Sequence, residues 1–416
     1  VDNVTHSLAG MLLAEAALVA RRESRPQLRA AAYLASALAN NLPDSDILYT
    51  WITGPKPLGS LLHHRGHTHT LLVALPMAWL LGLALWRWYS RRNTDASAGD
   101  RRLILALCLV GPLLHLTMDL GNNYGVHPFW PLSGRWYYGD TIFIVEPLWW
   151  AITIPILAQL VRRSWLKILL WILLGGVLLV CWFVPFVLPA SRGALLALTG
   201  LAFVVGRRSP ERVRVSFALL ACLCVALCFG VCSHDARSEL RQAAAGAFPA
   251  LQPSDIALSP MPANPLCWEG LLVGEQGGSY RVLRASVALW PLSAGSCTAG
   301  LDVEPTANVR PLERPHRGGV RWISEYREEL SELRQLAGRD CRFRALLQFA
   351  RLPYVSRHGS ESLPGRDPGE FAGDLRYDRK PGLDFSDLSL PEDPRSGPCP
   401  RFLTAWTPPR GDLLQP

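Results

Sequence analysis

Four of the chain's ten histidines fall in one short stretch, Leu62-His63-His64-Arg65-Gly66-His67-Thr68-His69-Thr70. Imidazole is the commonest transition-metal ligand. His64 with His69, or His63 with His67, can supply two ligands from one loop. His115 and Asp119 are spaced i, i+4, so on a helix both project from one face and can reach one ion. Asp44 and Asp46 stand i, i+2 in a turn led by Pro43, and His6 lies near the start of the chain. The donor set mixes imidazole and carboxylate. It suits Zn²⁺, with Mn or Fe as alternatives, bound singly or as a dinuclear pair with a position open for water. Such a site lowers the pKa of bound water and hydrolyses acyl or phosphoryl esters. Glu146 or Asp140 then serves as orienting group or general base, and Arg65 as a clamp for phosphate. Blander readings compete: a His-rich surface loop, a hydrogen-bonded core pair at His115 and Asp119, and solvated carboxylates at Asp44 and Asp46.

The elements that must position these groups are apolar. The chain has 416 residues, 49% of them hydrophobic, but the two halves differ. Residues 1–232 are apolar runs broken by short Arg clusters; residues 233–416 are polar and rich in Pro, Gly and Arg. A spanning helix needs roughly 20 mainly apolar residues. Eight stretches are candidates: 4–20, 28–42, 71–88, 103–120, 143–161, 165–188, 194–205 and 213–232. The second is short and alanine-rich, and the sixth is the strongest. The fold class expected is therefore an all-α polytopic membrane domain of about eight helices, 1–232, followed by a soluble α+β domain, 233–416, with a loose tail after about Ser356.

Every second loop is basic. Arg21, Arg22, Arg25 and Arg29, then Arg87, Arg91, Arg92, Arg101 and Arg102, then Arg162, Arg163 and Lys167, then Arg207, Arg208, Arg212 and Arg214 follow alternate apolar runs. The positive-inside rule puts these loops in the cytoplasm and the intervening segments, with the second half, outside. The net charge of +8 thus reads as membrane orientation, and no nucleic-acid partner is expected. His6, Asp44, Asp46, the histidine loop, His115, Asp119, Asp140 and Glu146 then converge on one depth at the outer face. Ionisable residues inside spans are costly and usually functional.

These residues resemble the bacterial inner-membrane, LexA-regulated metal-dependent hydrolase family. The pieces that match are Asp2-Asn3-Val4-Thr5-His6, the turn from Asn40 to Asp46, His63 to Thr70, His115 to Asp119, Gly121 to Pro131, and Trp136 to Asp140. The resemblance covers roughly the first half. It implies metal ligation by His6, Asp44, His64, His69, His115 and Asp119, and a hydrolytic reaction without a stated substrate. The His-x-x-x-Asp pair is also similar to that of zinc-dependent phospholipases C.

The expectation is a hydrolase of the bacterial inner membrane, its site open to the periplasmic side. It would cleave an ester or phosphoester of a membrane lipid or lipid-linked molecule. Its metal set comprises His6, Asp44, Asp46, His64, His67, His69, His115 and Asp119, with Glu146, Asp140 and Arg65 as catalytic groups. A metal or proton transporter and a metal-stabilised scaffold are the rival classes. Trp130, Trp136, Tyr137, Tyr138, Trp149 and Trp150 read as an interfacial belt. In the second half, residues 270–273 and 280–289 read as strands, and 238–245 and 324–336 as helices. Cys267, Cys297, Cys341 and Cys399 permit two disulfides in any of three pairings.

Overall fold

The computed structural model of the chain describes residues 2–53, 58–297, 308–312, 318–358, 369–377, 386–390, 399–404 and 406–414. The first half is helical: α1 (Asn3–Ala20), α2 (Pro26–Asn41), the short α3 (Leu58–His63), α4 (Leu71–Arg92), α5 (Ala98–Leu120), α6 (Pro147–Leu160), α7 (Ser164–Phe183), α8 (Pro189–Arg208) and α9 (Glu211–Ala247). Six of these, α1, α4, α5, α7, α8 and α9, are long and apolar enough to cross a membrane. The expected spans at 28–42 and 143–161 are the shorter helices α2 and α6, of 16 and 14 residues.

Local chemistry sets the ends. Asp2 accepts the Val4 and Thr5 amides at 3.0 Å each and starts α1 three residues before His6. Ser97 and Asp100 close a reciprocal capping box on α5. Glu146 caps α6, with Pro147 at its first position. Glu15, an acid inside α1, is paired with Arg29 of α2 at 2.7 Å.

Two glycines let the site helices approach. A Cβ on Gly10 of α1 would stand 2.7 Å from the Ser36 carbonyl oxygen of α2. One on Gly111 of α5 would stand 2.6 Å from the Ala39 Cβ. Any side chain at either position would push α1 or α5 off α2 and separate the residues they carry.

The second half begins later than residue 233, because α9 runs on unbroken to Ala247. Its far end lies on a five-stranded antiparallel sheet of order β1-β2-β3-β5-β4, formed by β1 (Gln252–Met261), β2 (Asn264–Gln276), β3 (Ser279–Ala288), β4 (Val309–Pro311) and β5 (Val320–Glu329). Phe229, Ala236 and Leu240 of α9 pack there with Trp268, Leu272 and Leu283. The other face is covered by α10 (Leu330–Arg339), α11 (Cys341–Leu346) and a three-stranded sheet of β6 (Pro353–His358), β7 (Gly369–Asp374) and β8 (Leu388–Leu390).

Two expectations are corrected here. Residues 324–329 are strand, not helix: Val320, Trp322, Ser324 and Tyr326 are buried at alternate positions, a period of two that their charged neighbours conceal. The tail after Ser356 carries β7, β8 and a 3-10 turn, Gly411–Leu413, so it is not simply loose; its residues 359–368, 378–385, 391–398, 405 and 415–416 lie outside the described ones.

The halves share one core. Leu58, Leu61, Leu62, Tyr124 and Trp136 of the first pack with Tyr326, Phe343 and Phe349 of the second. The expected aromatic belt is largely spent on such packing. Trp136 donates to the Gln348 carbonyl at 2.9 Å, and Trp150 to Thr5 Oγ1 at 2.7 Å. The cysteines pair as Cys267–Cys297 and Cys341–Cys399.

Candidate metal centre

Three helices and two 3-10 segments meet at the N-terminal end of α1. His6 comes from the first turns of α1, Asn40 from the end of α2, and His115 and Asp119 from the last turns of α5. The 3-10 segment Pro43–Thr53 adds Asp44 and Asp46, and the 3-10 turn His67–His69 adds His69. His69, His115 and Asp119 are almost wholly buried, and Asp44 keeps 13% of its side chain exposed.

Asp44, His69, His115 and Asp119 form a group that can hold a metal ion. His69 Nε2 lies 3.1 Å from His115 Nε2, 3.4 Å from Asp44 Oδ1 and 3.5 Å from Asp119 Oδ2. His115 Nε2 lies 3.6 Å from Asp44 Oδ1 and 3.5 Å from Asp119 Oδ2. These five separations lie close to the roughly 3.3 Å between ligand atoms of a tetrahedral zinc ion with bonds of about 2.0–2.1 Å, and all four ligand atoms lie within 4.8 Å of one another.

Hydrogen bonds around the group decide what its atoms offer. The Asn40 carbonyl can only accept, so His115 donates Nδ1–H to it at 2.7 Å. Asp46 Oδ2 likewise takes Nδ1–H of His69 at 3.0 Å. Both Nε2 atoms are then bare of hydrogen in the neutral rings, and they face each other among two carboxylates. Four lone-pair donors converging in this way repel one another unless a cation, a proton or a metal ion, lies among them. Asp46 is turned away from the group. It accepts from His69, from the Arg65 amide at 2.8 Å and from Thr68 Oγ1 at 3.2 Å. That is the orienting carboxylate usual behind a metal-bound histidine. Burial would raise the Asp44 carboxyl, but His69 and His115 together hold it below the usual carboxylate range.

Arg65 is not placed to clamp a substrate. Its Nη1 donates to the Asp119 carbonyl at 3.1 Å and to Asn122 Oδ1 at 2.9 Å, and Nη2 donates to Asp119 Oδ1 at 3.1 Å. The guanidinium is buried over the Tyr124 ring. Arg65 has a left-handed backbone, φ +60, at a cost of about 1–2 kcal/mol for a residue with a Cβ. The bonds to Asp46 and Asp119 offset it.

The other expected residues divide. His6 Nε2 lies 3.3 Å from Asp119 Oδ1, and its ring stacks on His115 at 3.8 Å, so it borders the group. His64 contacts Asp46 Oδ1 at 3.2 Å with about a third of its side chain exposed; it sits at the rim. His67 packs against Trp130 and Trp406 instead. Asp140 and Glu146 are elsewhere. Asp140 is ion-paired with Arg351 at 2.8 Å and Arg237 at 2.6 Å. Glu146 accepts the Leu148 amide at 3.1 Å and the Ala263 amide at 3.2 Å. The general-base expectation for both fails on geometry, because their oxygens are consumed in holding the two halves together. Sequence reasoning missed Asn40 and Asn122, which act through a carbonyl and an amide that nothing in their spacing marks.

Fold and site define a polytopic membrane protein with a buried His/Asp cluster at one end of its helix bundle. Residues 1–187 match the profile of the YdjM inner membrane protein family. With the apolar helices, this match supports an inner-membrane protein; the family's description speaks of neither a hydrolase nor LexA. No curated protein and no solved structure matches the chain.

Proposed function

We propose that the chain is a metal-dependent hydrolase that cleaves an ester or phosphoester of a lipid or lipid-linked molecule at the outer face of the bacterial inner membrane. The observation that carries this reading is the convergence of two Nε2 atoms, whose rings are anchored through Nδ1, and two carboxylates on one point. A divalent ion held by Asp44, His69, His115 and Asp119, zinc by its donor set and manganese or iron as alternatives, would polarise the scissile group and lower the pKa of bound water toward about 7. Among the described residues there is one such group, so the reading takes one ion.

The chain's own residues supply the rest. Asp46, Asn40 and Arg65 orient the ligands. Asp44, the least buried of the four, is the ligand that can yield a position to water. His64, at the rim with Asp46 behind it, is the group to move a proton. On the turn that carries Asp44 and Asp46, the side chains of Ile47, Leu48 and Trp51 are 68%, 75% and 74% exposed. Leu34 and Leu38 of the preceding helix α2 are exposed as well, and these apolar side chains favour a substrate arriving from the bilayer. The two disulfides of the second half favour an oxidising compartment for it, in keeping with the Arg clusters of the opposite loops.

A structural metal site is the second reading, since four protein ligands close a zinc shell. The test uses full-length protein in mixed micelles with a head-group-labelled phospholipid and, separately, a soluble phosphodiester. We expect lipid cleavage that chelation abolishes and zinc restores, and that His64→Gln loses by about 10²–10⁴-fold while the ion stays bound. Cleavage of the soluble ester as fast as the lipid removes the lipid part. Activity indifferent to chelation removes the metal part.

A further inference from the structure

One loop of the first half links the second half to the residues that orient Asp119. Residues 121–140, between α5 and α6, carry Asn122, whose Oδ1 takes hydrogen bonds from Arg65 and from the Tyr124 amide at 2.9 Å each. Two arginines of the second half grip this loop. Arg376, fully buried and paired with Asp374 at 2.7 Å, donates Nη1–H to the Asn123 carbonyl at 2.5 Å and the Tyr124 carbonyl at 3.4 Å. Arg351 holds Asp140 by two bonds, 2.8 and 3.0 Å, and lies over the Tyr138 ring at 4.1 Å. The Asp140 amide in turn meets the Asn122 carbonyl at 3.5 Å. A guanidinium is suited to such work, since its planar fork serves several acceptors at fixed angles.

We propose that the second half completes the metal centre: Arg376, assisted by Arg351, fixes the backbone around Asn122, which sets Arg65, which sets Asp119. These are positioning residues, and the proposal rests on the metal-centre reading above. Another contact between the halves, Glu146 with the Ala263 amide, lies at the cap of α6 and touches neither Asn122 nor Arg65. The proposal gives residues beyond 187, where the family match ends, a role in the site itself.

The test is a Co²⁺ titration of metal-stripped, full-length protein in detergent, reading affinity and the ligand-field absorption bands. Arg376→Lys keeps a charge for Asp374 but cannot span both carbonyls. We expect Co²⁺ affinity about 10–100-fold weaker, the range for lost outer contacts, and bands altered from wild type. Asn122→Ala, which removes the amide without disturbing Asp374, should alter the bands in the same way, and it decides the matter if the lysine variant fails to fold. Glu146→Gln should leave affinity and bands as in wild type. Wild-type bands and affinity in Arg376→Lys and Asn122→Ala overturn the proposal, as does an equal change in Glu146→Gln. If wild type binds no cobalt, the metal-centre reading falls and takes the proposal with it; if wild type binds and the loop variants match it, this proposal alone falls.

Discussion

His69 and His115 point their Nε2 atoms at each other across 3.1 Å, while their Nδ1 hydrogens are committed to Asp46 and to the Asn40 carbonyl. Two lone pairs at that distance repel unless a cation lies between them. A proton can serve in the metal-free protein and a metal ion in the loaded one.

Asp46→Asn keeps the shape of the side chain but removes the charge behind His69. We expect metal affinity to fall by about 10–100-fold, the range for lost second partners of ligating histidines. Competition against a chromophoric chelator measures it, and affinity equal to wild type would show that Asp46 does not orient His69.

Metal uptake should release a proton. Burial lowers the His69 pKa, but bonds to Asp119, Asp44 and Asp46 prevail and push it up from 6.5 to about 10. In the metal-free protein the charged ring contributes stability in full below pH 6.5, and that contribution is lost as pH rises toward about 10. The metal needs the neutral ring, so affinity should climb about tenfold per pH unit within this window. Calorimetry in buffers of different ionisation enthalpy counts the proton; zero release would remove this account of His69.

How much of this was legible in the sequence depends on the kind of residue. Asp44, His69, His115 and Asp119 were readable because ligand chemistry restricts residue type and because i, i+4 spacing fixes a face. The inner and outer roles within the loops were not. Whether His64 or His69 faces the cluster depends on the left-handed turn at Arg65, a conformation its residue type does not announce. Arg65 read as a phosphate clamp because its partner Asn122, 57 residues on, gave no signal. Asp140 read as an orienting group or general base because Arg351, its partner, stands 211 residues away. The helices were visible in hydropathy, but α2 and α6 are only 16 and 14 residues long. The even number of cysteines in the second half pointed to disulfides without giving their pairing.

Cys341–Cys399 anchors the final segment, which crosses the loops of the first half: the Arg401 amide donates to the Thr53 carbonyl at 3.2 Å, and Trp406 Nε1 to the Leu62 carbonyl at 3.0 Å. Cys399→Ser should destabilise the protein by about 2–5 kcal/mol. Thermal melting in detergent, with and without reductant, measures this. A reductant effect as large in the variant as in wild type would assign the stability to Cys267–Cys297 instead.

Leu48→Asp places a charge on the apolar turn without touching the ligands. Lipid turnover should drop by about tenfold or more, as the cost of a carboxylate at the membrane interface implies. Metal content and turnover of a soluble ester should stay unchanged. Equal loss on both substrates would mean that the turn shapes the site and is not a lipid entrance.

The most direct measurement is the metal content of detergent-purified protein, taken with X-ray absorption at the metal edge, for wild type beside His115→Ala and Asp44→Asn. One ion per chain in a shell of nitrogen and oxygen, lost from the alanine variant and weakened in the asparagine variant, is the result predicted. No bound ion in wild type, sulfur in the shell, or an ion that both variants retain would contradict it.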